Sequence, residues 1–161
     1  MKKVLIFYGI LVIVIAIFAI SRGANLLNFN LGVPTNSPTA QIGKKTYSLI
    51  INKTEAEKEK GLSGRNSLNG NTGMLFAFEK KGTYGFWMNE MKFPIDIIFI
   101  SDTKIVDFVE NAAPPLAGQS AATLPIYRPS QSINYVLEVN AKEISKNKFK
   151  RGDSVVLKNI K

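Results

Sequence analysis

Neither cysteine nor histidine occurs in the 161 residues. The missing cysteine excludes disulfides, thiolate metal sites, thiol nucleophiles and a lipidated N-terminal anchor. The missing histidine removes the commonest general base, the Ser–His and Cys–His nucleophile pairs, and the usual ligands of zinc, copper and non-haem iron. Any catalysis must therefore run on Asp, Glu, Lys, Tyr, Ser or Thr, and no metal or cofactor is expected. Acidic residues are also scarce, 12 against 21 Lys and Arg, for a formal charge of +9.

Three of the positive charges, Lys2, Lys3 and Arg22, flank the one long apolar run, Val4 to Ile20. Val, Ile, Leu and Phe dominate this uncharged stretch, and inserting it as a helix is favourable by roughly 4–8 kcal/mol. It would span about 25 Å, and Lys3 and Arg22 can snorkel to cover the remainder of a ~30 Å hydrocarbon core. A transmembrane signal-anchor over 1–22 is the expectation, with the membrane as partner through residues 4–20 and the remainder extracytoplasmic. A cleaved signal peptide is the alternative, since Ala19-Ile20-Ser21 has the small-x-small form. Residues 23–40 hold no charge but contain Pro34 and Pro38, and read as a linker. The remaining 18 basic and 12 acidic residues give a net +6, an ordinary soluble-surface excess that also suits anionic surroundings.

The domain proper is expected over 41–161. Its densest apolar stretch is Gly73 to Ile100, which holds the only Trp and half of the ten Phe. Apolar runs of four to six residues broken by Gly, Lys or Pro read as short buried strands. Strands are expected near Ile42 and over Tyr47–Ile51, Met74–Phe78, Tyr84–Met88, Ile95–Ile100, Ile105–Val109, Ile133–Val139 and Ser154–Leu157. Turns are expected at Gly43-Lys44-Lys45, Ser101–Lys104 and Gly152-Asp153. Thr54-Glu55-Ala56-Glu57 has the form of a capping box opening one short helix that stops at Gly61. Glu110–Ser132, with four prolines, reads as a long surface loop, and Lys142–Arg151 as a solvated basic edge. This pattern specifies an all-β sandwich or barrel with one short helix.

The blocks GLSGR, GMLFAF, FWMNEMKFPIDIIFI, APP and YVLEV resemble the DUF192 (UPF0127) family of small prokaryotic proteins. The family pattern runs roughly G-L-M-x-R, G-M-L-F, F-W-M-K-N-T-x-I-P-L-D-I-x-F-I, P-P, Y-V-L-E, and the resemblance covers about Ile42 to Lys158. It implies a jelly-roll-like fold and no established reaction. The chain departs from the pattern at Ser63, at Asn89-Glu90-Met91, and at Lys142, where a glycine is usual.

The candidate site residues are Arg65, Trp87, Met88, Asp96 and Glu138. Asp96 lies on the same strand face as Ile98 and Ile100, where a carboxylate needs a partner. Arg65 or backbone N–H groups beside Pro94 are the expected partners, or else the carboxylate lines a pocket with Trp87 and Met88. Trp87 and Met88 fit either a core or a ligand-stacking wall. Arg65 suits an anion fork, Glu138 a second carboxylate at a strand end, and Tyr127-Arg128 a lid. A binding or envelope-assembly module is the expected function, with a cell-envelope glycan or protein as the partner class. Export argues against nucleic acid. The alternative is a glycan hydrolase using Asp96 with Glu138 or Glu110, which needs both carboxylates in one cleft.

Overall fold

The structure, a computed structural model, describes residues 36–161. The expected signal-anchor helix and most of the expected linker lie outside these residues. No helix among those described is long and apolar enough to cross a membrane.

The strands are β1 (Thr39–Ile42), β2 (Lys45–Asn52), β3 (Thr72–Gly82), β4 (Ile95–Ser101), β5 (Lys104–Ala112), β6 (Ile133–Asn140) and β7 (Val155–Lys158). All seven form one sheet in the order β5-β4-β6-β3-β2-β1-β7. Only β2 and β3 run parallel, and the crossover between them contains α1 (Glu55–Lys60). The two ends of the sheet approach one another: Lys104 at the start of β5 bridges Ser154 just before β7. Ile105 N donates to the Asp153 carbonyl at 3.0 Å and Val155 N to the Thr103 carbonyl at 2.8 Å. The all-β class is as expected. In place of two facing jelly-roll sheets there is one sheet curled into a half-barrel.

Side-chain alternation sorts the apolar residues into two cores. The first takes residues from every strand, including Ile42, Tyr47, Leu75, Ile98, Ile105, Leu137 and Val155, and so fills the inside of the curl. The second lies on the outer face of β3, β4 and β6, where Met74, Phe76, Ile97, Phe99 and Val136 meet Leu62, Phe86 and Met88 from the connecting segments. Strand β4 is thus buried on both faces, which is why its sequence runs IDIIFI without polar alternation. Each large apolar side chain sealed in these cores contributes roughly 1.5–3 kcal/mol.

The capping box forms as expected. Glu57 N donates to Thr54 Oγ1 at 3.2 Å, and Thr54 N donates to Glu57 Oε2 at 3.0 Å. Two expectations are corrected. Tyr84–Met88 is not a strand and makes a single bridge, Phe86 with Tyr127. Phe86 and Met88 are buried by lying across the outer face instead of pairing within the sheet, so the segment mimics a strand in sequence. The stretch Lys142–Arg151 is not a solvated edge, because it contains a second short helix, α2 (Glu143–Asn147), with Ile144 and Phe149 buried in the first core.

Helix α2 is held by Asp96, a fully buried residue of β4 (0% exposed). Its Oδ1 accepts from Asn111 N at 2.8 Å and Lys142 N at 3.1 Å, and its Oδ2 accepts from Ile144 N at 2.8 Å. The expected partners, Arg65 and the backbone beside Pro94, are not used. One carboxylate joins β4, β5 and the first turn of α2, which satisfies its own charge and three otherwise orphaned donors. Beside it, Tyr47 donates to Glu143 Oε2 at 2.8 Å, and Lys45 Nζ lies 3.1 Å from the same oxygen. Burial pushes the Glu143 carboxyl up, but the Tyr47 hydrogen bond and the Lys45 contact outweigh it and hold the group below its usual range. Lys142 adopts the left-handed conformation, φ 72°.

Asp96→Asn should destabilise the domain by about 1–3 kcal/mol, because an amide NH2 would face the Ile144 N–H or leave its backbone donors short. Arg65→Met should change stability by less than about 0.5 kcal/mol. Lys142→Gly should stabilise it by about 0.5–1 kcal/mol, relief of left-handed strain exceeding the entropy glycine adds to the unfolded chain. Urea unfolding midpoints of the three variants check all of this. A neutral Asp96→Asn would mean that the three N–H bonds contribute nothing net.

Candidate functional site

A cleft of ≈ 340 Å³ opens on the outer face of the sheet, lined on one side by α1 and Gly61-Leu62-Ser63 and on the other by the aromatics of β3 and of Tyr84–Trp87. Gly61 ends α1 at φ 49°, and a Cβ there would lie 3.3 Å from the Phe76 ring, so glycine lets the turn close onto the cleft wall. The turn is pinned from outside. Ser63 Oγ donates to the Asn89 carbonyl at 2.7 Å, and Gly64 N to the Glu90 carbonyl at 3.0 Å. Ser63, a departure from the family pattern, therefore serves a structural contact here.

The aromatic wall is ordered by its own packing. Phe76 and Phe86 meet edge to face with centroids 5.0 Å apart, and Phe78 stacks on Tyr84 at 3.7 Å. Phe86 is fixed by two backbone bonds with Tyr127, at 2.8 and 2.7 Å. A cation already uses this wall: Lys58 Nζ lies 5.0 Å from the Phe78 ring centroid while pairing with Glu55 at 2.8 Å.

Glu138 forms part of the cleft lining from β6. Its neighbours across the ladder are Met74 and Ile97, neither able to hydrogen-bond a carboxylate strongly. Glu138 is only 6% exposed and has no hydrogen-bond or ionic partner among the described residues. Among those residues no side-chain oxygen or nitrogen sealed from solvent lacks a partner, so the unpaired carboxylate oxygens reach the cleft. Burial among apolar neighbours pushes its carboxyl up to about 8.

Of the other candidate residues, Trp87 lines the same cleft and is 48% exposed, whereas Met88 is sealed in the second core. Asp96 points to the opposite face: it alternates with Ile95 and Ile97 of the second core and pairs with Val139 of the first. Arg65 is exposed and lines an adjoining hollow with Asn52, Gly64 and Met74, which shares Lys60, Gly61 and Ser63 with the cleft. Glu110 is exposed and does not line the cleft. The cleft thus unites Trp87 with Glu138, and leaves Arg65, Met88 and Asp96 elsewhere. Tyr127 and Arg128 back the wall from behind, Arg128 Nη1 donating to the Thr83 carbonyl at 3.1 Å. Sequence reasoning missed Phe76, Phe78 and Tyr84 as site residues, since their spacing is also that of core strands. Among the described residues no three acidic side chains cluster as metal ligands.

Residues 38–157 match the family DUF192, described as Uncharacterized ACR, COG1430. No curated protein matches the chain significantly. Two crystal structures are similar. A protein of unknown function from Novosphingobium aromaticivorans DSM 12444 is 27% identical with a TM-score of 0.65, over 74% of this chain and 83% of that one. A protein from Sinorhizobium meliloti 1021, provisionally described as a transcription regulator, is 25% identical with a TM-score of 0.65, over 74% of this chain and 91% of that one.

The unpaired Glu138 has a consequence for stability. Its folded value of about 8 lies above the ordinary 4.5, so between the two the folded state holds a proton that the unfolded chain has lost. Stability present below the lower value is therefore lost as pH rises through the higher one. Glu138→Gln should unfold at higher urea than the parent above about pH 6, the gap widening by up to about 1.4 kcal/mol per pH unit until the folded group ionises. A gap independent of pH from 5 to 8 (roughly the window set by the shift) would mean that the carboxyl titrates as though hydrated.

Proposed function

Because this chain belongs to the DUF192 family, which carries no described activity, we propose from its own cleft that it is a small-ligand binding module. We place it on the extracytoplasmic side, tethered through residues 4–20. The reading rests on Glu138: a carboxylate kept unpaired and buried at an aromatic cleft weakens the fold and is explained by a ligand that supplies the missing partner. The cleft volume of ≈ 340 Å³ suits a small molecule or a single side chain of a larger partner. Phe78, Tyr84 and Trp87 offer flat apolar surface, and Glu138 a buried polar group among them, the usual division between affinity and orientation in such sites. An envelope glycan terminus or protein side chain reaches such a cleft from outside the membrane. The support for the tether is the uncharged apolar run of residues 4–20.

A glycan hydrolase working through Asp96 and Glu138 has no geometric support, since the two carboxylates lie on opposite faces of the sheet. Asp96 is moreover committed to three backbone donors.

Trp87 is the only tryptophan, so its emission reports on the cleft in the full-length protein. Fragments that pair an aromatic ring with one polar group should give a saturable emission change, and Phe78→Ala should weaken it several-fold at temperatures where circular dichroism shows the variant still folded. The protein should also stay with membranes through carbonate washing. A fragment panel that never saturates the Trp87 signal would overturn the binding reading, and a mature protein starting near Arg22 would overturn the tether.

A further inference from the structure

Granting that the cleft is a binding site, the geometry points to its ligand class: we infer that it takes an organic ammonium group, seated against Glu138 with its carbon body on the aromatic wall. Two observations carry this. The carboxylate is buried, unpartnered and open only to the cleft, so it is matched best by a charged donor that arrives with the ligand. The wall also already carries a cation, the Lys58 ammonium lying over the Phe78 ring, so its aromatic faces are of the kind that attract one. Once Glu138 is ionised an anionic ligand would meet it head on and a neutral alcohol would leave it half-satisfied, while the protonated form offers such ligands a single donor and no charge.

The other charges around Glu138 do not oppose the assignment. Helix α1 presents Glu55, Lys58, Glu59 and Lys60 to the cleft, with Lys58 neutralised by Glu55 at 2.8 Å. Tyr84 is the remaining titratable group in the lining, and the ladder neighbours Met74 and Ile97 carry no charge. With Glu138 ionised the cleft is net negative, with three acidic against two basic side chains. Binding a cation must ionise a carboxyl that is otherwise held protonated near neutrality, so the proton leaves Glu138 for solvent as the ammonium arrives. Affinity should accordingly rise with pH toward about 8.

The test uses full-length protein in a nonionic detergent and three probes of one shape: benzylamine, benzyl alcohol and benzoate. Trp87 emission reads binding, and calorimetry in buffers of different ionisation enthalpy counts protons. Benzylamine should bind at least about ten-fold tighter than benzyl alcohol, release close to one proton at neutral pH, and lose that preference in Glu138→Gln. Affinity for benzylamine should climb by up to about ten-fold per pH unit below the folded value. Equal binding of amine and alcohol, or tighter binding of benzoate, would overturn the ammonium assignment while leaving the cleft a binding site. Trp87 emission unmoved by all three probes would overturn both. Because Glu138→Gln removes a group that the unfolded chain ionises more readily than the folded one, the variant is the more stable above about pH 6, and loss of preference in it is not loss of fold.

Discussion

Asp96 is the constraint on which the rest of the domain turns. A carboxylate at 0% exposure on an otherwise aliphatic strand would be expensive, yet it accepts from three backbone N–H groups supplied by two distant stretches of chain. Those bonds fix where β5 ends and where α2 begins, and α2 brings Ile144 and Phe149 into the core inside the curl. The Tyr47–Glu143–Lys45 cluster then ties α2 to β2. The left-handed backbone at Lys142 follows from the same requirement, since its N–H must reach Asp96.

The second carboxylate on the central strands is treated in the opposite way. Glu138 is buried nearly as deeply as Asp96, but on the outer face, and no donor among the described residues comes to meet it. Both strands that flank β6 place apolar residues opposite Glu138, so the sheet cannot satisfy it. The segment that does cover this face, Tyr84–Met88, brings aromatic rings in place of hydrogen-bond donors. Two acidic residues on one sheet thus divide the work. One closes the fold, and the other leaves an opening with a defined chemical demand.

Much of the architecture could be read from the sequence because it was written in local terms. The Thr54–Glu57 capping box, the turns at Gly43 and Gly152, and the apolar runs of β3, β4 and β6 each follow from residues near one another in the chain. What failed was non-local. Phe86-Trp87-Met88 has the composition of a strand, and only the tertiary arrangement decides that it lies across a sheet instead of within one. Ile144 and Phe149 are sparse among lysines, so the apolar side of α2 is too short to show a period. Backbone N–H groups are among the partners expected for Asp96, but the sequence does not say that they come from Asn111, Lys142 and Ile144, because which distant donors a fold gathers leaves no local mark. Trp87 and Glu138 were visible as candidates. That they share a cleft while Asp96 does not depends on strand parity across β4 and β6, which needs the register of their pairing.

The pairing of β1 with β7 sets Thr39 directly opposite Lys158, with Asn159 Nδ2 reaching the Ser37 carbonyl at 3.4 Å. The first and last strands of the domain are therefore neighbours in space, and the described chain is a ring in all but one connection. Ends this close can be joined by a few flexible residues at small entropic cost, and new ends opened in the exposed turn at Leu116–Gln119 would sever no ladder bond. In such a rearranged chain every strand would keep its neighbours, and the aromatic cleft with Glu138 would be unchanged.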